Sequence, residues 1–152
     1  MEVYRLSREK YASPLSGLGA ALKGARWNSA GTELIYTASN RSLAMAEVAV
    51  HLSLATLPDD YLMLTIHIPE HISRTRLDMR ELKQGWNSYP HHRATQEIGN
   101  RFVSENKYCL LEVPSAVTKG DWNLLINPAH NEFDRVMVVE TVRFPFDKRI
   151  FE

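Results

Sequence analysis

The chain has little of what would tie it to a disulfide framework, a membrane or nucleic acid. Its 152 residues include one cysteine, Cys109, so no disulfide can form within the chain, and we expect a reducing compartment, the cytoplasm. Basic and acidic residues number 18 each, and zero net charge gives no overall field to attract nucleic acid or an anionic membrane. The longest apolar segment, residues 43–57, contains Glu47 and His51 and falls short of the roughly 20 residues that cross a bilayer. We therefore expect no membrane partner and no direct nucleic-acid partner.

The composition also excludes disorder and fibrous structure. Glycine and proline number seven each, 44% of the residues are hydrophobic and 24% are charged, which is ordinary for a globular protein. A chain of this length buries roughly 68–70% of its unfolded surface, enough for one core. The sequence contains no internal repeat, low-complexity tract or linker. We therefore predict a single domain over residues 1–152.

The hydrophobic patterning predicts strands and helices that do not alternate regularly. Strands are predicted at residues 1–6, 33–38, 61–68, 109–113, 122–126 and 135–144. Helices are predicted at residues 41–56, 78–84 and 92–106, and a long loop follows the first strand. This order favours an α+β fold with a mixed or antiparallel sheet over a doubly wound parallel sheet.

The helix predicted over residues 41–56 carries a carboxylate among its apolar residues. At 100° per residue, three of these residues point within about 20° of one direction: Leu43, Val50 and Leu54. Glu47 lies about 40° from Leu43 on the same projection, and His51 lies one turn further along. Both polar side chains belong either to a solvated strip or to a cleft, and the periodicity supports the two interpretations equally.

Four other polar residues are candidates for binding, although each has an ordinary structural explanation. Arg26 stands in Gly-Ala-Arg-Trp-Asn, where a guanidinium can hold a phosphate or carboxylate through two hydrogen bonds, although most loop arginines are only solvated. Tyr36, near the end of a predicted strand, can stack on a planar ring or simply pack. Ser115 follows Pro114 and Asn127 precedes a proline, so both suit turns and caps.

Two other kinds of site receive less support. His67 and His71 have a helical metal-ligand spacing, but Pro69 between them breaks the helix, so we expect no metal site. No phosphate-binding loop, dinucleotide-binding glycine pattern or nucleophile elbow is present. A hydrolase triad is a third and weaker hypothesis, and its residues would be Ser115, His130 and Asp134.

Taken in chain order, six features of the sequence resemble the RES-domain family. They are residues 24–28, 35–38, 113–116, 123–130 and 146–149, together with Glu47. The most distinctive is Asn-Leu-Leu-Ile-Asn-Pro-Ala-His at residues 123–130. The arginine, glutamate and serine that give the family its name match Arg26, Glu47 and Ser115.

This resemblance implies the toxin of a bacterial type II toxin–antitoxin pair, with an antitoxin that carries an Xre-like helix-turn-helix. It implies a fold similar to that of ADP-ribosyltransferases and NAD+ as a substrate, with no separate cofactor. Most members are described as degrading NAD+ by hydrolysis or phosphorolysis, and some as ADP-ribosylating a protein. A homodimer within the toxin–antitoxin complex is a further expectation.

The resemblance also implies a role for each candidate residue. Glu47 would stabilise the positive charge that develops on the ribose or accept a hydrogen bond from a ribose hydroxyl, and Arg26 would hold the pyrophosphate. Tyr36 would stack on nicotinamide, while Ser115 would anchor a polar group of the substrate and Asn127 would be a polar neighbour. The alternatives are a protein ADP-ribosyltransferase and a non-catalytic scaffold that binds only the antitoxin or a nucleotide.

Overall fold

A seven-stranded sheet organises the computed structural model, which describes residues 1–152. Its strands are β1 Glu2–Arg8, β2 Ile35–Ala38, β3 Tyr61–His67, β4 Arg74–Arg76, β5 Leu110–Pro114, β6 Trp122–Ile126 and β7 Met137–Arg143. Their order across the sheet is β4-β5-β6-β2-β1-β3-β7. Only β4 and β5 are parallel, and every other neighbouring pair is antiparallel. The predicted α+β fold with a mixed sheet is confirmed.

Three α-helices and five short 3-10 turns connect the strands. The helices are α1 Leu18–Lys23, α2 Arg41–Ala49 and α3 Arg93–Glu105. The 3-10 turns are Glu9–Tyr11, Leu54–Thr56, Met79–Glu81, Phe133–Arg135 and Lys148–Phe151. Asn40 starts α2 by accepting a hydrogen bond from the backbone N–H of Leu43, and Asn106 ends α3 in the left-handed conformation, with φ 51°. None of the helices has the length and hydrophobicity needed to span a membrane.

The core consists of three apolar clusters, two of which hold helices against the sheet. The largest includes Leu64 and Ile126 and joins β1, β3 and β6. A second packs Phe102 of α3 against β5 and β6, and a third packs Leu43 of α2 against β1 and β3. Burial of these side chains supplies the main stabilising free energy and fixes where α2 and α3 lie.

The sheet is almost divided between β1 and β2. These two strands pair only through Tyr4 and Ala38, whereas β1 and β3 pair along their whole length. On the far side of the division, β2 pairs along its whole length with β6. Packing of α2 against both β1 and β2 supplements the single strand pair.

The predicted helix over residues 41–56 is too long. The α-helix ends at Ala49, and Val50 and Leu54 are 58% and 47% exposed. Apolar periodicity records the residue types but not whether a neighbouring element covers them, and beyond Ala49 no strand packs against these side chains.

Three smaller predictions also differ from the structure. The long loop after β1 contains α1, which ends at Lys23 with Gly24 as its C-cap, and the short helix predicted at 78–84 is one 3-10 turn. The edge strand β4 was not predicted because its sequence, Arg-Thr-Arg, has no apolar residue, although it pairs with β5.

Candidate active site

A cavity of about 1080 Å³ opens beside the division between β1 and β2. The cavity is lined by residues of β1, β2, α2 and the start of β6. The turn that contains Arg26 and a segment around Tyr89 complete its lining. Its volume lies near the upper end of the range for pockets that hold small molecules. Glu47 and His51 line it too, so they face a cleft rather than a solvated strip.

Glu47 is oriented by two short hydrogen bonds. The Ser115 hydroxyl and the Asn123 side-chain amide both donate to Glu47 Oε1, each at 2.6 Å. The backbone N–H groups of Val117 and Thr118 donate to Ser115 Oγ, at 3.1 and 2.9 Å, which directs the hydroxyl hydrogen towards the carboxylate. The second carboxylate oxygen, Oε2, makes no hydrogen bond within the protein, so it is available to a ligand in the cavity.

The sequence analysis named Asn127, and not Asn123, as a polar neighbour of the substrate. Asn127 is fully buried beyond the other end of β6, where its amide donates to Asn106 Oδ1 and its Oδ1 accepts from the N–H of Ala129. It does not line the cavity, contrary to the prediction, and it stabilises a turn. Asn123 instead reaches Glu47, and its own Oδ1 is buried without a hydrogen-bond partner.

Arg26 lies in a turn that α3 holds in place. The Thr95 hydroxyl donates to the backbone carbonyl of Arg26 at 2.7 Å, and the Gln96 amide donates to the preceding carbonyl at 3.0 Å. Arg26 Nη1 donates to the carbonyls of Trp86 and Ser88, so one guanidinium nitrogen already ties the turn to the segment at the cavity mouth. Burial lowers the pKa of Arg26, and the charge of the nearby Glu47 opposes this effect.

Tyr36 connects β2 to the same turn. Its hydroxyl accepts a hydrogen bond from the N–H of Trp27 at 2.9 Å and donates to Asn28 Oδ1 at 2.7 Å. Burial raises the pKa of Tyr36, so the hydroxyl stays protonated and can donate. The residue lines the cavity, as a stacking role would require.

Replacing Tyr36 with phenylalanine is expected to lower the free energy of unfolding by about 1–3 kcal/mol, because the buried Asn28 carbonyl and Trp27 N–H both lose a partner. Urea unfolding followed by tryptophan fluorescence measures the change. Tyr108→Phe is the matched control, since the Tyr108 hydroxyl makes no hydrogen bond. Equal losses in the two variants would contradict the structural role of the Tyr36 hydroxyl.

Two side chains that the sequence did not name as site candidates, Tyr89 and His91, lie with His51 at the cavity mouth. Tyr89 is 74% exposed, and its ring lies 6.0 Å from that of His51 and 6.5 Å from that of His91. Burial and the charges of Arg26 and His51 lower the pKa of His91, so it is neutral at pH 7. No sequence motif marks Tyr89 and His91, because they lie in a loop about 40 positions after His51.

The structure does not assemble the alternative catalytic sites. Ser115 donates its hydrogen to a carboxylate, whereas His130 lies beside Glu132, so the hydrolase triad is not formed. Burial raises the pKa of the Cys109 thiol to about 12, which leaves it protonated and a poor nucleophile. His, Cys, Asp and Glu side chains form no group of three that could hold a metal ion.

Comparisons with known proteins identify the family to which the chain belongs. A family model described as the RES domain matches residues 2–147. The chain is 33% identical over 146 residues to the "Prs ADP-ribosylating toxin" of Sphingobium sp., covering 95% of this chain and 91% of the relative. It is 36% identical over 152 residues to "Toxin Res" of Photorhabdus laumondii, covering 99% and 97%.

A solved structure with the same fold is that of the Mycobacterium tuberculosis MbcT-MbcA toxin-antitoxin complex. The match has a TM-score of 0.76 at 20% identity and covers 94% of this chain and 83% of that one. The family model matches nearly the whole sequence, and both relatives are more than 30% identical to it. This chain therefore belongs to the RES-domain family.

Proposed function

We propose that this protein is the toxin of a toxin–antitoxin pair and that it cleaves the nicotinamide–ribose bond of NAD+, depleting the nucleotide in the cytoplasm. The observation that carries the proposal is the geometry of Glu47. One carboxylate oxygen is fixed by Ser115 and Asn123, and the other is available in a cavity of suitable size. NAD+ is the substrate, and the proposal needs no further cofactor.

The chemistry of this bond needs a fixed negative charge. As nicotinamide leaves as a neutral molecule, positive charge develops on the ribose, and an oriented carboxylate stabilises that charge more strongly than it stabilises the ground state. The hydrogen bonds to Oε1 hold Glu47 before the substrate binds, so little reorganisation is needed during the reaction.

Arg26 and Tyr36 supply binding and orientation in this proposal. The Arg26 nitrogens other than Nη1 make no hydrogen bond within the protein and can hold an oxygen of the substrate. The Tyr36 ring lines the same cavity, where stacking would hold nicotinamide in the orientation from which it leaves.

Transfer of ADP-ribose to a protein is the second candidate activity. The name of the Sphingobium relative, an ADP-ribosylating toxin with 33% identity, favours it. Both activities break the same bond and differ in the acceptor, which is water or phosphate in one case and a protein side chain in the other. The same residues of this chain would serve either one.

The proposed partner is an antitoxin, because the similar structure is a toxin-antitoxin complex. The family resemblance adds that this antitoxin carries an Xre-type helix-turn-helix, and that the toxin forms a homodimer within the complex. The antitoxin, not the toxin, would supply the contacts to DNA, since the toxin's net charge is zero.

Inducing the chain alone in bacteria tests the function. NAD+ is expected to fall within minutes of induction of the wild type and to stay constant with the Arg26→Ala, Glu47→Ala double variant. Extracted NAD+ is measured enzymatically and the amount of each protein by immunoblotting. Growth arrest at a constant NAD+ level, together with transfer of label from NAD+ to a cellular protein, would establish ADP-ribosylation instead. No effect of either kind from a folded wild-type chain would favour the non-catalytic scaffold.

A further inference from the structure

Tyr89 is a cavity residue that neither the fold nor the proposed chemistry explains. It lines the cavity on the segment between Trp86 and His92, and it is 74% exposed. Its hydroxyl makes no hydrogen bond within the protein, and the rings nearest to its own are those of His51 and His91, at 6.0 and 6.5 Å. A ring that is mostly exposed adds little to the core, so stability does not account for its position.

The backbone next to Tyr89 is held in place by hydrogen bonds. Arg26 Nη1 donates to the carbonyls of Trp86 and Ser88, at 2.9 and 3.1 Å. The Ser88 hydroxyl and Nε2 of His92 share a hydrogen bond of 2.8 Å, and His92 is the N-cap residue of α3. The segment is therefore anchored while the Tyr89 ring stays accessible, so a planar group that stacks on it orders little of the chain on binding.

The charges near Tyr89 favour a neutral ring over a cationic one. Burial lowers the pKa of His91 and the positive charge of Arg26 lowers it further, so the guanidinium acts on this group of rings. Glu47 is the only carboxylate that lines the cavity, and it acts electrostatically on Arg26. In NAD+ the nicotinamide ring is a cation before cleavage, whereas adenine is neutral. The adenine ring is therefore the better match to this position.

The order of groups in the cavity matches the order of groups in a dinucleotide. In the proposed function, Glu47 faces the ribose of nicotinamide and Arg26 holds an oxygen of the pyrophosphate. The segment that carries Tyr89 is hydrogen-bonded to Arg26 itself, so it lies next to the place given to the phosphates. Adenosine is the part of NAD+ that follows the phosphates.

We propose that Tyr89 stacks on the adenine ring of the ligand, in a subsite that His51 and His91 complete. The inference rests on the proposed function for the identity of the ligand, and it adds a site for the second ring of NAD+. Stacking on an aromatic side chain tolerates any base, because every base has a π-face. The imidazole of His91 has one donor and one acceptor nitrogen, and either one can bond to the polar edge of a purine.

Isothermal titration with two ligands tests the inference on the purified chain. ADP-ribose contains adenine but no nicotinamide, and nicotinamide mononucleotide contains nicotinamide but no adenine. Tyr89→Ala is expected to weaken ADP-ribose binding by about 10-fold to 100-fold, the usual cost of losing one stacked base, and to leave nicotinamide mononucleotide binding unchanged. Tyr89→Phe, which keeps the ring, should retain most of the affinity for ADP-ribose.

Tyr11→Ala is the matched control. It removes an exposed tyrosine from the 3-10 turn after β1, outside the cavity, and should bind both ligands like the wild type. A second measurement needs no variant. In NMR spectra of the wild type with ADP-ribose, nuclear Overhauser effects should connect H2 or H8 of adenine with the ring protons of Tyr89.

The outcomes separate this inference from the proposed function. A loss of affinity confined to ADP-ribose, together with Overhauser effects between adenine and Tyr89, supports the inference. An unchanged affinity for ADP-ribose, an equal or larger loss with nicotinamide mononucleotide, or the absence of these Overhauser effects would overturn it. NAD+ cleavage by the wild type is assayed in parallel. Adenine stacking on Tyr89 without cleavage would refute the proposed function alone.

Discussion

Replacing Glu47 with glutamine is expected to slow release of nicotinamide from NAD+ by about 10²-fold to 10³-fold, the usual cost of removing one preorganised electrostatic group. Glutamine has the same shape, and its carbonyl oxygen can still accept from Ser115 and Asn123. The variant therefore loses the negative charge and keeps the packing. The rate constant kcat, measured by chromatography of the products with the purified protein, gives the effect.

Glu97→Gln is the control for the loss of a negative charge. Glu97 lies on α3 in an exposed ion pair with Arg93, and such pairs contribute little to stability. This variant should retain the wild-type kcat, and both variants should unfold at the wild-type temperature. A Glu47→Gln protein that is folded and cleaves NAD+ at near the wild-type rate would refute the role of the carboxylate.

Replacing Gly99 with alanine is expected to destabilise the protein by about 2–4 kcal/mol, although alanine is the better helix former. Gly99 is buried on α3 where the helix meets the backbone of Trp27, and an added Cβ would overlap the Trp27 carbonyl oxygen. Relief of this overlap must move α3 or the turn that carries Arg26. We therefore expect lower activity as well as a lower free energy of unfolding in urea.

Gly19→Ala provides the matched comparison within a helix. Gly19 lies on α1, and nothing is within 4 Å of a Cβ at that position. This substitution should stabilise the protein slightly, by up to about 1 kcal/mol, and leave NAD+ cleavage unchanged. A Gly99→Ala protein as stable as Gly19→Ala would show that the contact between α3 and the Arg26 turn is not tight in solution.

The start of α2 could be predicted from the sequence, but its end could not. Asn40 before an apolar run is a helix-start signal, and the structure shows the cap. The end at Ala49 depends on where the sheet stops covering the helix, and that depends on strands far along the chain. The helical projection still placed Glu47 near the core direction, and this made it a candidate.

The asparagines of β6 show a second limit of sequence reasoning. Asn123 lies near the start of β6 and Asn127 directly follows its end, and the motif contains both. Which of them approaches Glu47 depends on β6 lying between β5 and β2, an order that local patterns do not encode.

The near-division of the sheet separates the parts that hold the Glu47 site. Ser115 and Asn123 belong to the β5–β6 side, whereas the packing of α2, which carries Glu47, involves both β1 and β2. Because one strand pair joins the two sides, few backbone hydrogen bonds hold them together, and their relative position is set mainly by the docking of α2 and by the apolar cluster that joins β1, β3 and β6. The position of the carboxylate therefore depends on side-chain packing more than on strand pairing, and a ligand that spans both sides would add contacts across the division.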